Sequence, residues 1–188
     1  YVPMVPILIF FFKKDSLHWS VWPSVILCLT GGYLLTDFYD AIVRLGDALV
    51  ILGALFWSTH IIFTGMIVKK YNLPLTIGAI QTFLVALFSF LIGLLYEEFV
   101  IENILNEIDS ILYAGILSGG FAFVLQIYAQ KNITPAPAAI IFSLEGVFAT
   151  IAAWFLLSQI LGINNLIGCA FILSGVLLSQ LVPLIKKS

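Results

Sequence analysis

Charged residues are scarce in this sequence of 188 residues, where they make up 10% of the chain while hydrophobic residues make up 62%. The mean hydropathy is +1.14. A soluble domain typically has about 25% charged and roughly 45–50% apolar residues. A globule of this size cannot hide such an excess of apolar surface from water. The composition therefore predicts an integral membrane protein whose first partner is the lipid bilayer.

The sequence also lacks the features of other binding proteins. It has no basic tract and a formal net charge of −2, which argues against nucleic acid as a partner. Cys28 and Cys169 each lie inside an apolar stretch, with no second ligand at metal-binding spacing. We therefore expect both to be small reduced core residues, outside any disulfide or metal site.

Catalytic patterns are missing as well. No nucleophile–base–acid set, metal-ligand spacing or phosphate-binding loop is present in the sequence. Every lysine lies at the end of an apolar segment, so none is placed to form a Schiff base within the bilayer. An intramembrane hydrolase would need paired acids or a Ser/His pair at depth, and Glu145 has no acidic companion. We predict a protein that is not an enzyme and has no cofactor.

Apolar segments of about 20 residues, the length of helix that crosses a bilayer, fill most of the chain. They cover residues 20–36, 47–68, 75–96, 110–130, 136–157 and 161–183. Residues 1–12 form a seventh apolar segment that is too short to span. The sequence thus predicts an all-α integral membrane protein with about seven transmembrane helices.

The positive charges predict how these helices are oriented. Alternate breaks between the segments carry all seven lysines: Lys13, Lys14, Lys69, Lys70, Lys131, Lys186 and Lys187. The opposite side has Arg44 alone. Because positive residues concentrate in cytoplasmic loops, we expect the lysine side and the C-terminus to be cytoplasmic, in a multi-pass protein of the cell's inner (plasma) membrane.

The break "EEFVIENILNEID" has Ile101, Ile104, Leu105 and Ile108 at helical spacing, with acids at other positions. It is either a short amphipathic helix on the outer surface or a solvated acidic loop. The pattern alone favours neither.

A faint internal repeat relates the two ends of the chain. Residues 2–36 align without gaps on 145–179 at an offset of 143, so that "GGYLL" falls on "SGVLL" and Pro3 falls on Gly146. By the charge rule the two copies have opposite orientations, which is typical of transporters with inverted repeats. We predict a complete five-helix repeat at 46–183, the last two helices of a partner repeat at 1–36, and a cytoplasmic tail at 184–188. Three helices of the partner repeat are then expected upstream of Tyr1.

The stretch "GDALVILGALFWSTHIIFTGMIVKKYNLPLTIGAIQTFLVALFSFLIGLLYE" resembles the opening three-fifths of an EamA domain, the repeat of the drug/metabolite transporter superfamily. The stretch "ITPAPAAIIFSLEGVFATIAAWFLLSQILGINNLIGCAFILSGVLL" is similar to its closing helix pair. The resemblance implies ten helices in two inverted repeats, a central cavity for small metabolites, cytoplasmic termini and, commonly, export.

Two departures from the family pattern affect the closing helix pair. The family usually has Glu-Pro where this chain has Glu145-Gly146, and a Gly-Glu pair where it has Ser158-Gln159, or Lys14-Asp15 in the first copy. Pro3 keeps the helix-bending proline, whereas Gly146 permits a bend without enforcing it. Pro3, Gly146 and Gly175 are therefore candidates for helix bending or close packing.

Glu145 is the strongest candidate for a functional side chain. Thr134-Pro135 predicts a helix start, which places Glu145 about 15 Å into the helix, near mid-membrane. A charge at that depth costs about 2.5–3 kcal/mol or more, so we expect it to face the bundle interior and find a partner or a proton. Its carboxylate either binds the substrate or carries a coupling proton, or it is a protonated carboxyl with a structural role only. The matching position in the first copy is Val2, which favours the structural interpretation.

Four further polar or aromatic residues are candidates for the cavity. Trp57 and His60 lie one helical turn apart and serve either as a cavity pair or as a packing contact. Gln81 and Gln126 either bind substrate or join helices. Gln130 shares a face with Gln126 but is expected to be solvated near the interface.

The sequence therefore predicts a transporter of a small organic metabolite that works by alternating access. The alternative is a non-transporting structural or sensor protein built from a degenerate repeat. A homodimer is one arrangement that would supply the missing helices of the first repeat. The substrate, the direction and the coupling ion are left open by these residues.

Overall fold

The computed structural model of the protein describes residues 1–13, 17–36 and 45–185. All regular secondary structure in these ranges is helical. Four of the charges behind the predicted orientation, Lys14, Arg44, Lys186 and Lys187, lie outside the described residues. So do Asp15 and most of the predicted tail at 184–188.

Ten α-helices follow one another along the described chain. They are α1 (Met4–Leu8), α2 (Val21–Leu35), α3 (Leu45–Tyr71), α4 (Pro74–Tyr96), α5 (Ile101–Asn106), α6 (Ile108–Leu112), α7 (Phe123–Gln130), α8 (Pro135–Phe142), α9 (Leu144–Leu157) and α10 (Ile163–Ile185). Two wider π-helical stretches, Ile9–Lys13 and Tyr113–Ala122, continue α1 and join α6 to α7.

The described residues contain five helical segments long and apolar enough to cross a membrane. They are Leu45–Tyr71, Pro74–Tyr96, Ile108–Gln130, Pro135–Leu157 and Ile163–Ile185. A helix of 23 residues is about 35 Å long, which exceeds the roughly 30 Å hydrocarbon core. The sixth apolar helix, α2, has 15 residues and a length of about 22 Å. The protein is thus an all-helical, multi-pass membrane protein, as the sequence predicts.

Local chemistry explains where the long helices begin and end. Pro74 and Pro135 each occupy the first turn of a helix, where the missing proline N–H has no intrahelical partner to lose. Thr134 is the N-cap residue, as predicted, and its backbone is extended although its side chain makes no capping hydrogen bond. Asn72 (φ 58°) and Ser158 (φ 52°) are left-handed and terminate α3 and α9.

The break at 97–109 contains a helix. Residues Ile101–Asn106 form α5, and α6 begins at Ile108. Of the two predicted alternatives, the structure therefore contains the short helix. The sequence gives no sign of the ten-residue π-helical stretch that follows. There, a Cβ on Gly119 or Gly120 would lie 3.3 Å from the carbonyl oxygen five residues earlier, so glycine suits the wide turn.

The described chain divides into two compact units. The first contains the described residues of Tyr1–Phe63 and Thr134–Ser188, and the second contains Thr64–Ile133. In the second unit, α4 packs on α7, where a Cβ on Gly78 would lie 3.1 Å from Val124 and 3.4 Å from Ile127.

In the first unit, α2 packs against α10 with backbones almost in contact. A Cβ on Gly31 would lie 2.6 Å from the Gly168 carbonyl oxygen, and one on Gly168 would lie 2.7 Å from that of Gly31. A Cβ on Gly175 would meet Cys28 Sγ and the Ser24 carbonyl oxygen, both at 2.8 Å. The residue numbers of the contacts on α2 decrease as those on α10 increase, so the two helices are antiparallel. Small residues permit this close approach.

The span Pro135–Leu157 is interrupted at Ser143, between α8 and α9. The Ser143 amide bonds to the Ile140 carbonyl, and the Gly146 amide bonds to the Ser143 carbonyl, both at 3.2 Å. These bonds reach back three residues instead of four, so the turn is tighter than an α-helix. The Ser143 hydroxyl also donates to the Ile140 carbonyl, a contact that often bends helices. The irregularity thus lies three residues before Gly146, and Glu145 enters the first turn of α9.

Candidate functional site

A groove of about 510 Å³ lies in the first unit beside Glu145. We call it the Glu145 groove. It is lined by residues 1–2, by the face of α2 from Cys28 to Leu35 and the Thr36 that caps it, by Ser143, Glu145 and Gly146, and by Ile172 of α10. Its volume falls within the range of about 300–1,000 Å³ that is usual for small-molecule sites.

Glu145 has a partner in this groove. The Tyr1 hydroxyl donates to Glu145 Oε1 at 3.0 Å, and the backbone carbonyl of Tyr1 accepts from the Ser58 hydroxyl of α3 at 3.4 Å. The carboxylate is exposed along the open side of the groove. The predicted partner therefore exists, but the carboxylate lies at an open groove instead of inside an enclosed core.

Three other hydrogen-bond donors at the groove are turned toward the protein. Thr36 donates to the Gly32 carbonyl at 3.0 Å, and Cys28 donates weakly to the Ile172 carbonyl at 3.9 Å. Ser143 donates toward Ile140 or toward Cys28 Sγ, which lies 3.3 Å away. A hydroxyl has one proton but two lone pairs, so these groups keep acceptor capacity after donating.

Two contacts in the first unit join residues 144 positions apart: Tyr1 with Glu145, and Cys28 with Ile172. The repeat identified in the sequence has an offset of 143. At that offset Val2 is equivalent to Glu145, and Leu29 is equivalent to Ile172. All four residues line the Glu145 groove. Equivalent residues of two copies approach each other only near the axis that relates the copies.

The predicted Trp57–His60 pair is stacked on α3. The two ring centroids are 5.1 Å apart at an interplanar angle of 21°. Trp57 is 37% exposed, and His60 is half-buried. The pair belongs to the same unit as Glu145, on the helix whose Ser58 bonds to Tyr1.

Gln81 and Gln126 lie in the second unit. Gln81 Nε2 donates to the Thr64 hydroxyl at 3.1 Å, which joins α4 to α3. Gln126 is half-buried on α7. The predicted solvation of Gln130 is wrong, because its side chain is 1% exposed. It packs at the end of α7, where sequence alone does not distinguish an interfacial position from a buried one.

The three candidates for bending or packing have different environments. Pro3 precedes α1 as its N-cap residue, with a helical backbone. A Cβ on Gly146 would make ordinary contacts with Leu35 at 3.4 Å and Ile172 at 3.8 Å. Gly175 lies in the tight α2–α10 contact.

Sequence reasoning missed several groove residues, including Tyr1, Tyr33, Thr36 and Ser143. Their hydroxyls carry no charge and give no signal in an apolar sequence. Thr64, the partner of Gln81, lies outside the groove. It could have been found from the sequence, because it lies one helical turn after His60 on α3 and residues at that spacing share a face.

Comparisons with known proteins identify one family profile and two relatives. The profile described as the EamA-like transporter family matches residues 44–181. A WAT1-related protein of Arabidopsis thaliana is 27% identical over 126 residues, covering 65% of this chain and 33% of that protein. An uncharacterized transporter of Archaeoglobus fulgidus is 27% identical over 186 residues, covering 96% of this chain and 58% of that protein. The chain thus spans less than two thirds of either relative. No solved structure gives a significant match.

Proposed function

This chain belongs to the EamA-like transporter family, and on that premise we propose that it moves a small organic metabolite across the membrane by alternating access, in the direction of export. The Glu145 groove is the proposed substrate path. Glu145, Trp57 and His60 are the proposed cavity residues of the first unit, and Gln81 and Gln126 are those of the second.

The observation that carries the proposal is the pair of contacts between nearly equivalent residues. Tyr1 meets Glu145 and Cys28 meets Ile172, each one position away from the 143-residue offset. Together with the antiparallel packing of α2 on α10, these contacts support two repeats of opposite orientation, at 1–36 and 46–183. Transporters with inverted repeats bind substrate between the repeats and alternate by rocking one against the other.

Transport through the groove can be tested with two matched glycine substitutions. Nothing lies within 4 Å of a Cβ added at Gly32 or at Gly53, but only Gly32 lines the groove. We expect Gly32→Phe to fill the groove and to lower saturable flux at least about tenfold, while Gly53→Phe keeps flux near the wild-type level.

The measurement is flux of labelled amino acids, sugars, amines and organic acids in liposomes that contain the full natural chain. Protein-free liposomes give the background. Well-folded protein that shows no saturable flux of any solute class would refute transport. Equal flux in the two phenylalanine variants would refute the groove as the path.

The proposed orientation predicts which side of the membrane each loop faces. In a background with Cys28→Ala and Cys169→Ala, we expect Asn103→Cys to react in intact cells with an impermeant thiol reagent. Tyr71→Cys should react only after permeabilisation. Both positions are solvent-exposed in the structure, so accessibility within the protein does not confound the comparison. Labelling of Tyr71→Cys in intact cells would reverse the orientation.

A further inference from the structure

We infer that the Glu145 groove selects a small organic cation, in the form of a protonated amine with an apolar body. The inference rests on the proposed transport function and names the substrate class of the same groove. It is carried by the balance of charges, donors and acceptors among the lining residues.

The charged side chains among the described lining residues have one sign. Among the described lining residues Glu145 is the single carboxylate, and no lysine, arginine or histidine accompanies it. Inside a membrane a carboxylate without a counter-charge is costly, and a bound cation offsets that cost. A carboxylate or phosphate ligand would instead meet a like charge among these described side chains.

Four hydrogen-bond donors of the groove are already used within the protein. The hydroxyls of Tyr1 and Thr36, the hydroxyl of Ser143 and the thiol of Cys28 all donate to groups of the protein itself. Tyr1 occupies one lone pair of Oε1, which leaves the second oxygen of Glu145 and the hydroxyl lone pairs to accept. An ammonium group has three donors and no acceptor, so it complements this set, whereas a carboxylate ligand would need donors, and these four are already used.

The rest of the lining fits the apolar body of such an amine. The remaining residues are aliphatic or glycine, and the rings of Tyr1 and Tyr33 add two aromatic surfaces. Tyrosine rings attract cations through their π-faces. Gly32 leaves open space that a side chain would occupy, so a bulky substituent can enter beside α2.

The test compares ligands that differ only in the charged group. Radiolabelled phenethylamine is bound to the purified full natural chain and competed with phenethyl alcohol and with hydrocinnamate, its neutral and anionic counterparts. Butylamine and hexylamine, each with its alcohol, extend the series in size. We expect each amine to compete at least about tenfold better than its uncharged counterpart, as for a charge-assisted bond.

Variants of the carboxylate test its role directly. Glu145→Gln should weaken phenethylamine binding by about tenfold or more and abolish the preference for amine over alcohol. Glu145→Asp retains the charge and should retain that preference. Glu98→Gln removes one negative charge from an exposed position outside the groove and should leave binding within about twofold of wild type.

Competition by alcohol or carboxylate as effective as that by amine, or unchanged amine affinity in Glu145→Gln, would overturn the inference. Flux of an uncharged or anionic solute that Glu145→Gln leaves intact would also overturn it, while the proposed transport function stands. Binding of amines that depends on Glu145, without flux of any solute, would support the inference and count against transport.

Discussion

Replacing Gly31 by alanine should destabilise the folded protein strongly, whereas the same replacement at neighbouring Gly32 should be tolerated. The added Cβ at Gly31 would lie 2.6 Å from the Gly168 carbonyl oxygen and 3.0 Å from the Ile172 amide nitrogen. Because both atoms are backbone, α2 and α10 must separate, at a cost of about 3 kcal/mol. At Gly32 nothing lies within 4 Å, and alanine adds up to about 1 kcal/mol of helix stability. Thermal unfolding in detergent, followed by fluorescence-detected size exclusion, measures the difference.

The adjacent positions control for helix propensity, because both are interior residues of α2 and alanine improves the propensity of each equally. Gly53→Ala in α3 is a second control in open space and should behave like Gly32→Ala. Equal melting temperatures for Gly31→Ala and Gly32→Ala would show that α2 and α10 do not approach each other this closely in the membrane.

The spans themselves could be predicted from sequence because membrane insertion depends on local composition. About 20 apolar residues suffice to specify a crossing helix, and Pro74 and Pro135 mark two of the starts. The predicted segments at 47–68, 75–96 and 110–130 accordingly match Leu45–Tyr71, Pro74–Tyr96 and Ile108–Gln130. Their ends differ by a few residues, since a helix continues past the apolar run until a cap or a left-handed residue stops it.

Irregularities within the spans could not be predicted, because more than one residue of a span could cause an irregular turn and the sequence does not show which one does. Gly146 occupies the family's proline position and is one of the three candidates for bending or close packing, yet the tight turn is at Ser143. The Ser143 hydroxyl bonds to a backbone carbonyl, which glycine has no side chain to do. Nor does any local residue pattern predict the π-helical stretch Tyr113–Ala122, whose glycines also occur in ordinary transmembrane helices.

Only part of the candidate site could be predicted from the sequence. A lone carboxylate in an apolar run stands out because of its cost, so Glu145 was found. Its partner Tyr1 lies 144 positions away and carries no charge, so no local pattern connects the two. The same holds for the contact of Gly31 with Gly168, where glycine is one of many small residues in a membrane helix and only the packed structure shows which pair meets.

Replacing Glu145 by glutamine should lower transport by roughly tenfold or more while the protein still reaches the membrane. Glutamine keeps an oxygen that can accept the Tyr1 hydrogen bond, so the fold loses little, but it cannot ionise, bind a cation by charge or carry a proton. The measurement is flux against external pH in liposomes that contain the full natural chain, with abundance measured in parallel. The remaining flux should also lose any pH dependence that ionisation of the carboxyl confers.

Glu145→Leu separates this functional role from a structural one. Leucine removes the acceptor of the Tyr1 hydroxyl, so a polar group is left unpaired in an apolar environment, and abundance should fall below that of Glu145→Gln. The flux of Glu145→Gln must therefore be compared with that of wild type at equal amounts of protein. Any loss of flux that remains then reports the functional role of the carboxyl. Near-normal, pH-dependent flux in Glu145→Gln, together with scarce Glu145→Leu protein, would assign the carboxyl to holding the helices together. Loss of flux in abundant Glu145→Gln protein would instead show that movement of the solute requires the charge of Glu145.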